Sequence, residues 1–184
     1  MARKTKPSKP LIYVFCEGES EQAYTDYLRN KFADVAVIKR PSATGIFEEA
    51  DVRFKKDPKF RNSAEVTDEI WFFFDVETKD IGKWDQRIKI IKRLRKLRKN
   101  TSIRVRLLMT NGCIEHWLML HFKMFAQPVL TVADKERMLA EVVARAPAYE
   151  KGDYETTARI AEKYPTAVNN AQKTLHNILP VGLR

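Results

Sequence analysis

The sequence predicts an α/β fold in which a mostly parallel, four-stranded sheet is flanked by helices and followed by a C-terminal helical extension. Three observations predict it. Four short apolar runs rich in β-forming residues occur in the first two thirds of the chain. A helical pattern follows each run. After Pro128 only helical patterns remain. Alternating strands and helices are typical of parallel sheets covered on both faces.

The four apolar runs justify the strands one by one. The first and third are continuous apolar stretches, which favours strands buried on both faces. The second is short, and the fourth alternates bases with apolar residues before it ends. In order, the predicted strands are residues 11–16 (LIYVFC), 35–38 (VAVI), 70–74 (IWFFF) and 103–109 (IRVRLLM).

Apolar residues at spacings of three and four justify the helices. Ser20 is the predicted N-cap of the first helix. The predicted helices cover residues 20–32, 44–60, 84–97, 114–122, 132–145, 153–163 and 165–178.

The same pattern divides the chain into three parts. Residues 1–10 are expected to form a flexible basic tail, and residues 11–127 the α/β domain. Residues 128–184 are expected to pack on that domain as helices. They fit either a lid or the interface of a homodimer, and the sequence leaves both open.

The composition excludes several classes of protein. With 184 residues, 44% of them hydrophobic, the chain can build one packed core, so a disordered protein is not expected. No apolar run is long enough to span a bilayer or to serve as a signal peptide, so we expect a cytoplasmic protein with no membrane partner. Two cysteines and three histidines are too few for a disulfide scaffold or a Cys/His zinc site.

The net charge of +10 is concentrated in two segments. The tail carries four bases, and the segment from Lys83 to Asn100 carries nine bases and one acid, so the remaining chain is slightly acidic. This distribution predicts a polyanion partner, namely DNA or RNA. A basic helix that only faces solvent is the alternative. The candidate nucleic-acid contacts are Arg87, Lys92, Arg95 and Arg98 in this segment and Lys151 later in the chain.

Acidic residues follow three of the predicted strands. Glu17 follows the first, Asp75 and Glu77 follow the third, and Glu115 opens the helix after the fourth. Ligands of parallel sheets bind beyond the carboxyl ends of the strands, so these acids are expected to meet. Each alone also fits a helix cap or a solvated loop. Together, without histidine or cysteine, they suit Mg²⁺ or Mn²⁺, and an acidic metal site beside a basic surface indicates phosphodiester chemistry.

Three runs of residues resemble a known family. They are residues 14–21 (VFCEGESE), 73–77 (FFDVE) and 111–122 (NGCIEHWLMLHF). Strand-Glu-Gly followed by strand-Asp-x-acid resembles the Toprim fold of topoisomerases, primases and related nucleases. The third run is the most specific, and the three together are similar to the RloB-like family, which is found beside bacterial restriction and phage-defence loci. Tyr149 and Lys151 match that family's late Tyr-x-Lys element, and the resemblance covers most of residues 11–180.

The resemblance implies roles for individual residues. Glu17 corresponds to the Toprim glutamate, a general acid/base or metal ligand, and Asp75 with Glu77 corresponds to the Asp-x-Asp metal pair. Glu115 is a family-specific acid that faces the same pocket. The chain departs from the pattern twice, since Glu77 replaces an aspartate and Gly112 replaces a proline, which is expected to loosen that turn.

Three functions follow as alternatives. The first is a Mg²⁺-dependent Toprim-type nuclease in antiviral defence, with catalytic Glu17, Asp75 and Glu115. The second is a catalytically silent module that binds nucleic acid. The third is a subunit that docks on an acidic partner, such as a separately encoded ATPase, because this chain lacks a Gly-x-x-x-x-Gly-Lys-[Ser/Thr] phosphate loop. His121, Tyr149 and the two cysteines are expected to be packing residues.

Overall fold

A computed structural model describes residues 9–178, without side-chain detail for residues 78, 79 and 176–178. Most of the predicted basic tail therefore lies outside the described residues. The sheet confirms the predicted fold class, because its four strands are all parallel and are ordered β2-β1-β3-β4. The strands are β1 (Leu11–Cys16), β2 (Val37–Lys39), β3 (Glu69–Val76) and β4 (Arg104–Asn111).

Eight α-helices lie in the described part of the chain, with two short 3₁₀ segments at Ala64–Val66 and Thr78–Lys83. No helix among these residues is both long enough and apolar enough to cross a membrane. The helices are α1 (Glu19–Lys31), α2 (Phe47–Lys56), α3 (Pro58–Ser63), α4 (Trp84–Arg95), α5 (Ile114–Leu120), α6 (Val132–Arg145), α7 (Tyr154–Ala161) and α8 (Tyr164–Ile178).

Two local predictions are corrected. The helix predicted over residues 44–60 is divided into α2 and α3, because Asp57 is extended before Pro58 and the proline ring disfavours helical geometry at the preceding residue. The N-cap of α1 is Gly18 rather than Ser20. The Ser20 hydroxyl instead accepts a hydrogen bond from the Gly152 backbone N–H at 3.1 Å, which fastens a distant turn to the start of α1.

Each face of the sheet is covered by its own apolar cluster. On one face, α2 and α4 pack on aromatic side chains, among which Phe47 and Phe72 stack with their ring centres 4.2 Å apart. On the other face, α1 and α5 pack on the sheet, and the later helices pack on them in turn. Leu118 of α5 and Met138 of α6 are fully buried in this second cluster.

The parallel arrangement brings three strand ends to one edge. The Glu17 backbone N–H donates to the Phe73 carbonyl at 3.0 Å, so the end of β1 lies beside β3. Val76 pairs with Asn111, so β3 and β4 end together. Since α1 and α5 begin directly after β1 and β4, their first residues lie at this carboxyl edge as well.

Gly112 makes the turn between β4 and α5 possible. Its φ is +73°, and a Cβ at this position would lie 2.3 Å from the Val129 carbonyl oxygen. A proline, which fixes φ near −65°, does not fit this conformation. Glycine therefore suits the backbone conformation at this position, and it allows the chain to pass close to Val129.

The first prediction concerns this turn. Gly112→Ala should lower the free energy of unfolding by about 2 kcal/mol or more, because alanine disfavours positive φ and its Cβ would meet the backbone of Val129. Gly82→Ala is the control, since a Cβ there would meet nothing within 4 Å, and it should change stability by less than about 1 kcal/mol. Urea unfolding of both variants tests this, and equal stabilities would contradict the assigned role of Gly112.

Candidate active site at the carboxyl edge of the sheet

Glu17 and Asp75 are adjacent, although 58 residues of sequence separate them. The Glu17 Oε2 atom accepts a hydrogen bond from the Asp75 backbone N–H at 2.9 Å. The Asp75 Oδ1 atom accepts a short hydrogen bond from the Thr110 hydroxyl, which comes from β4. The ends of three neighbouring strands thus bring together the two acids on which the predicted site depends.

Glu115 lies in the same region and is 1% exposed. The Tyr149 hydroxyl, which is also buried, donates to Glu115 Oε1 at 3.2 Å. The Lys151 ammonium lies 3.7 Å from the same oxygen, while most of that side chain faces solvent. Glu115 is therefore anchored by the Tyr-x-Lys segment. Tyr149 is buried as predicted, and it also donates a hydrogen bond to the site.

Glu21 is a member of the cluster that sequence reasoning did not include among the site residues. It lies in the first turn of α1 and is 4% exposed. Gly18 leaves room for its side chain, because a Cβ on Gly18 would lie 2.9 Å from Glu21 Oε2. The sequence does contain a pattern that could have identified Glu21. It lies one helical turn after the Glu-Gly pair, so its side chain returns to the same end of the helix.

Burial and neighbouring carboxylates raise the pKa values of two of these acids, Glu21 and Asp75. Burial is the largest cause of the rise in the pKa of Glu21 to about 7, and the charges of Asp75, Glu17 and Glu115 add to it. Burial also raises the pKa of Asp75 to about 6, assisted by Glu17 and Glu115, while the Thr110 hydrogen bond opposes the rise. These four acids form one electrostatic unit, which we call the acidic cluster.

Glu77, the second acid after β3, is paired with a base from a later helix. Its Oε1 atom forms a short ion pair with Lys135 of α6, which the sequence analysis had not identified. The chain turns into the 3₁₀ segment directly after Glu77, so the side chain lies toward α6. The ion pair gives Glu77 a partner on α6, and its use with Asp75 as a ligand pair stays a prediction.

The donor set of the acidic cluster suits a hard divalent cation, since Glu17, Glu21 and Asp75 offer only carboxylate oxygens. Burial and mutual repulsion make a neutralising cation favourable among them. Within the part of the chain that the structure describes, no group of three or more acid, histidine or cysteine side chains is yet arranged to hold a metal ion. The donor chemistry fits Mg²⁺ or Mn²⁺.

The prediction that Arg87 contacts nucleic acid is corrected, because this side chain is buried and has a structural role. It is 4% exposed, and its guanidinium donates to Asp80 at 2.7 Å. The same group lies 5.1 to 5.5 Å from the ring centres of Phe47, Phe74 and Trp84. Arg87 thereby ties α4 to the 3₁₀ segment after β3, and it cannot reach a polymer at the surface.

The remaining predicted bases of the α4 segment lie away from the acidic cluster. Because α4 connects two parallel strands, it runs back from the carboxyl edge toward the amino edge of the sheet. The Arg95 carbonyl accepts from the Ile103 backbone N–H just before β4. Arg98 pairs with Asp68, which precedes β3. Lys92 and Arg95 are exposed and make no ion pair with any residue that the structure describes.

The cysteines and His121 are packing residues. Burial raises the pKa of Cys16 and of Cys113 to about 12, so neither thiol ionises near neutral pH. Burial lowers the pKa of His121 to about 4. Its neutral ring donates to the Trp117 carbonyl and accepts from the Tyr24 hydroxyl, both at 3.1 Å. Nucleophilic cysteine chemistry is therefore not supported here.

The comparison with protein families gives one match. The model of the family described as RloB-like protein matches residues 12–180, which is most of the chain. The chain therefore belongs to the RloB-like family. No curated protein matches this chain.

The second prediction concerns pH. A raised carboxyl pKa means that the folded chain holds the proton more tightly than the unfolded chain. Without divalent cations, Asp75 and Glu21 should therefore make the free energy of unfolding fall as the pH rises from their ordinary pKa values, 3.8 and 4.5, through about 6 and about 7. The double variant Glu21→Gln, Asp75→Asn should lose this decrease in denaturant titrations in EDTA.

The control for this prediction removes two exposed acids, Asp34→Asn and Glu48→Gln. That variant should keep the wild-type decrease between pH 5 and 8. The assigned electrostatics would be contradicted if the free energy of unfolding had the same pH dependence in the wild type and in the double variant Glu21→Gln, Asp75→Asn.

Proposed function

We propose that this member of the RloB-like family is a metal-dependent nuclease of the Toprim type, which cleaves phosphodiester bonds of DNA or RNA in bacterial antiviral defence. The observation that carries the proposal is the meeting of Glu17, Glu21, Asp75 and Glu115 at one edge of a parallel sheet. Folding does not require buried like charges, so their collection at a ligand-binding edge favours a catalytic role.

Glu17 and Asp75 are the residues that would hold Mg²⁺ or Mn²⁺, with Glu21 as the third oxygen donor. A bound ion supplies polarisation of the phosphate oxygens and lowers the pKa of a water molecule. Glu17 is the exposed member of the cluster, so its carboxylate is accessible to accept a proton from an attacking water. The Asp75 backbone N–H and Thr110 hold the two acids in place.

Glu115 contributes as a buried carboxylate that faces the same acids. The hydrogen bond from Tyr149 orients the Glu115 carboxylate. The same carboxylate attracts the Lys151 ammonium, which lies at the rim of the site. Lys151 is exposed on its other side, so it is placed to contact a phosphate of the substrate.

The basic outer side of α4 would hold the substrate strand at a distance from the reaction. Lys92 and Arg95 face solvent there, and α4 is about 18 Å long. A substrate that contacts both α4 and the acidic cluster must therefore extend along the edge of the domain. Such contacts position the polymer without reading its sequence.

A second candidate is a catalytically silent nucleic-acid-binding subunit that works with a separately encoded ATPase. One observation favours it: Glu77, which replaces the family's second aspartate, is held by Lys135. This candidate predicts salt-sensitive binding of nucleic acid and no turnover with any divalent cation.

The third prediction separates the two candidates. The wild-type protein should cleave DNA or RNA with Mg²⁺ or Mn²⁺, and Asp75→Asn should reduce the rate by at least about a hundredfold, because it removes a charge on which metal and water depend. Asp34→Asn, in an exposed acid, is the matched control and should cleave normally. Cleavage at equal rates by wild type and Asp75→Asn would overturn the site, and a wild type without turnover would favour the silent subunit.

A further inference from the structure

A groove of about 630 Å³ lies at the carboxyl ends of β3 and β4. Three aliphatic side chains on its rim, Ile81, Leu130 and Val132, are 70%, 73% and 72% exposed. These are the most exposed large hydrophobic residues in the part of the chain that the structure describes. Burial of aliphatic surface is favourable, so three such residues around one groove indicate that something covers them.

Two of these exposed residues, Ile81 and Leu130, directly follow buried residues. Ile81 follows Asp80, which is 4% exposed and bonded to the buried Arg87. Leu130 follows Val129, which is 3% exposed and packs against Gly112. In each loop one residue is anchored in the protein, and the next one is directed into the groove.

The groove lies at the same strand ends as the acidic cluster. It is lined by Val76 and Asn111, the last residues of β3 and β4, and these directly follow Asp75 and Thr110. The ion pair of Glu77 and Lys135 also lines it, so a carboxylate and an ammonium face the same space as the aliphatic rim. A phosphate at Asp75 would therefore have this groove within the length of about one nucleotide.

We infer that the groove binds one unpaired base of the nucleic acid, adjacent to the phosphate that the acidic cluster acts on. This inference rests on the proposed function. Aliphatic side chains insert between bases and separate them from their stack in other nucleic-acid-binding proteins, and the polar edge of an unstacked base needs hydrogen-bonding partners. Glu77, Lys135 and Asn111 supply such partners. The substrate class is thus a single strand, a loop or a distorted duplex, rather than a regular double helix.

The test measures binding in EDTA, where no metal-dependent cleavage occurs. Single-stranded DNA and RNA oligonucleotides that contain 2-aminopurine are titrated with the full chain, alone and annealed to their complements. The single strand should bind at least about tenfold more tightly than the duplex, with increased 2-aminopurine emission as the base leaves its stack. The triple variant Ile81→Ser, Leu130→Ser, Val132→Ser should weaken single-strand binding by about tenfold and lose the emission change.

The matched control is Val35→Ser, Val66→Ser, which removes two valines of similar exposure outside the groove. It should bind as wild type does, and the thermal midpoints of both variants show that they are folded. Wild-type binding by the triple variant, equal binding of duplex and single strand, or no binding at all would overturn the inference. If the triple variant binds nucleic acid as the wild type does, a protein segment becomes the favoured ligand of the groove. A wild type that binds as expected but never cleaves would contradict the proposed function alone.

Discussion

The collection of four carboxyl groups in a small volume is the constraint on which the rest of this structure depends. Like charges in a partly buried site repel each other, and each also loses contact with water. The pKa of Glu21, raised to about 7, and that of Asp75, raised to about 6, are the direct expression of this cost. A protein retains such an arrangement when a ligand of opposite charge offsets it, which is why a divalent cation is central to the proposed function.

Much of the surrounding structure holds these acids together. The parallel register places the end of β1 beside β3, and the Asp75 backbone N–H then fixes Glu17. The segment after α6 approaches from the other side, where Gly152 donates to Ser20 and Tyr149 donates to Glu115. The C-terminal helices therefore do more than cover the sheet, since the turn between two of them completes the acidic cluster.

Local patterns were sufficient to predict four parallel strands and most of the helices, although not the break at Asp57. They also predicted that Glu17, Asp75 and Glu115 lie at one edge, because strand ends of a parallel sheet share it. Sequence reasoning did not anticipate contacts that depend on packing between distant segments. The resemblance pairs Glu77 with Asp75, and only the packing of α6 shows that Lys135, 58 positions away, forms an ion pair with Glu77. Arg87 belongs to a helix with many solvent-facing bases, and only its partners Asp80 and Phe74 show that it is buried.

The central claim is that the acidic cluster binds a divalent cation, and a crystal structure of the protein soaked in Mn²⁺ tests it most directly. Anomalous scattering locates manganese independently of its coordination. The account predicts one or two peaks within coordination distance of Glu17 and Asp75, with Glu21 turned toward the ion. Absence of any peak in the cluster at saturating Mn²⁺ and neutral pH, with the carboxyl groups still bonded as they are here, would contradict the account.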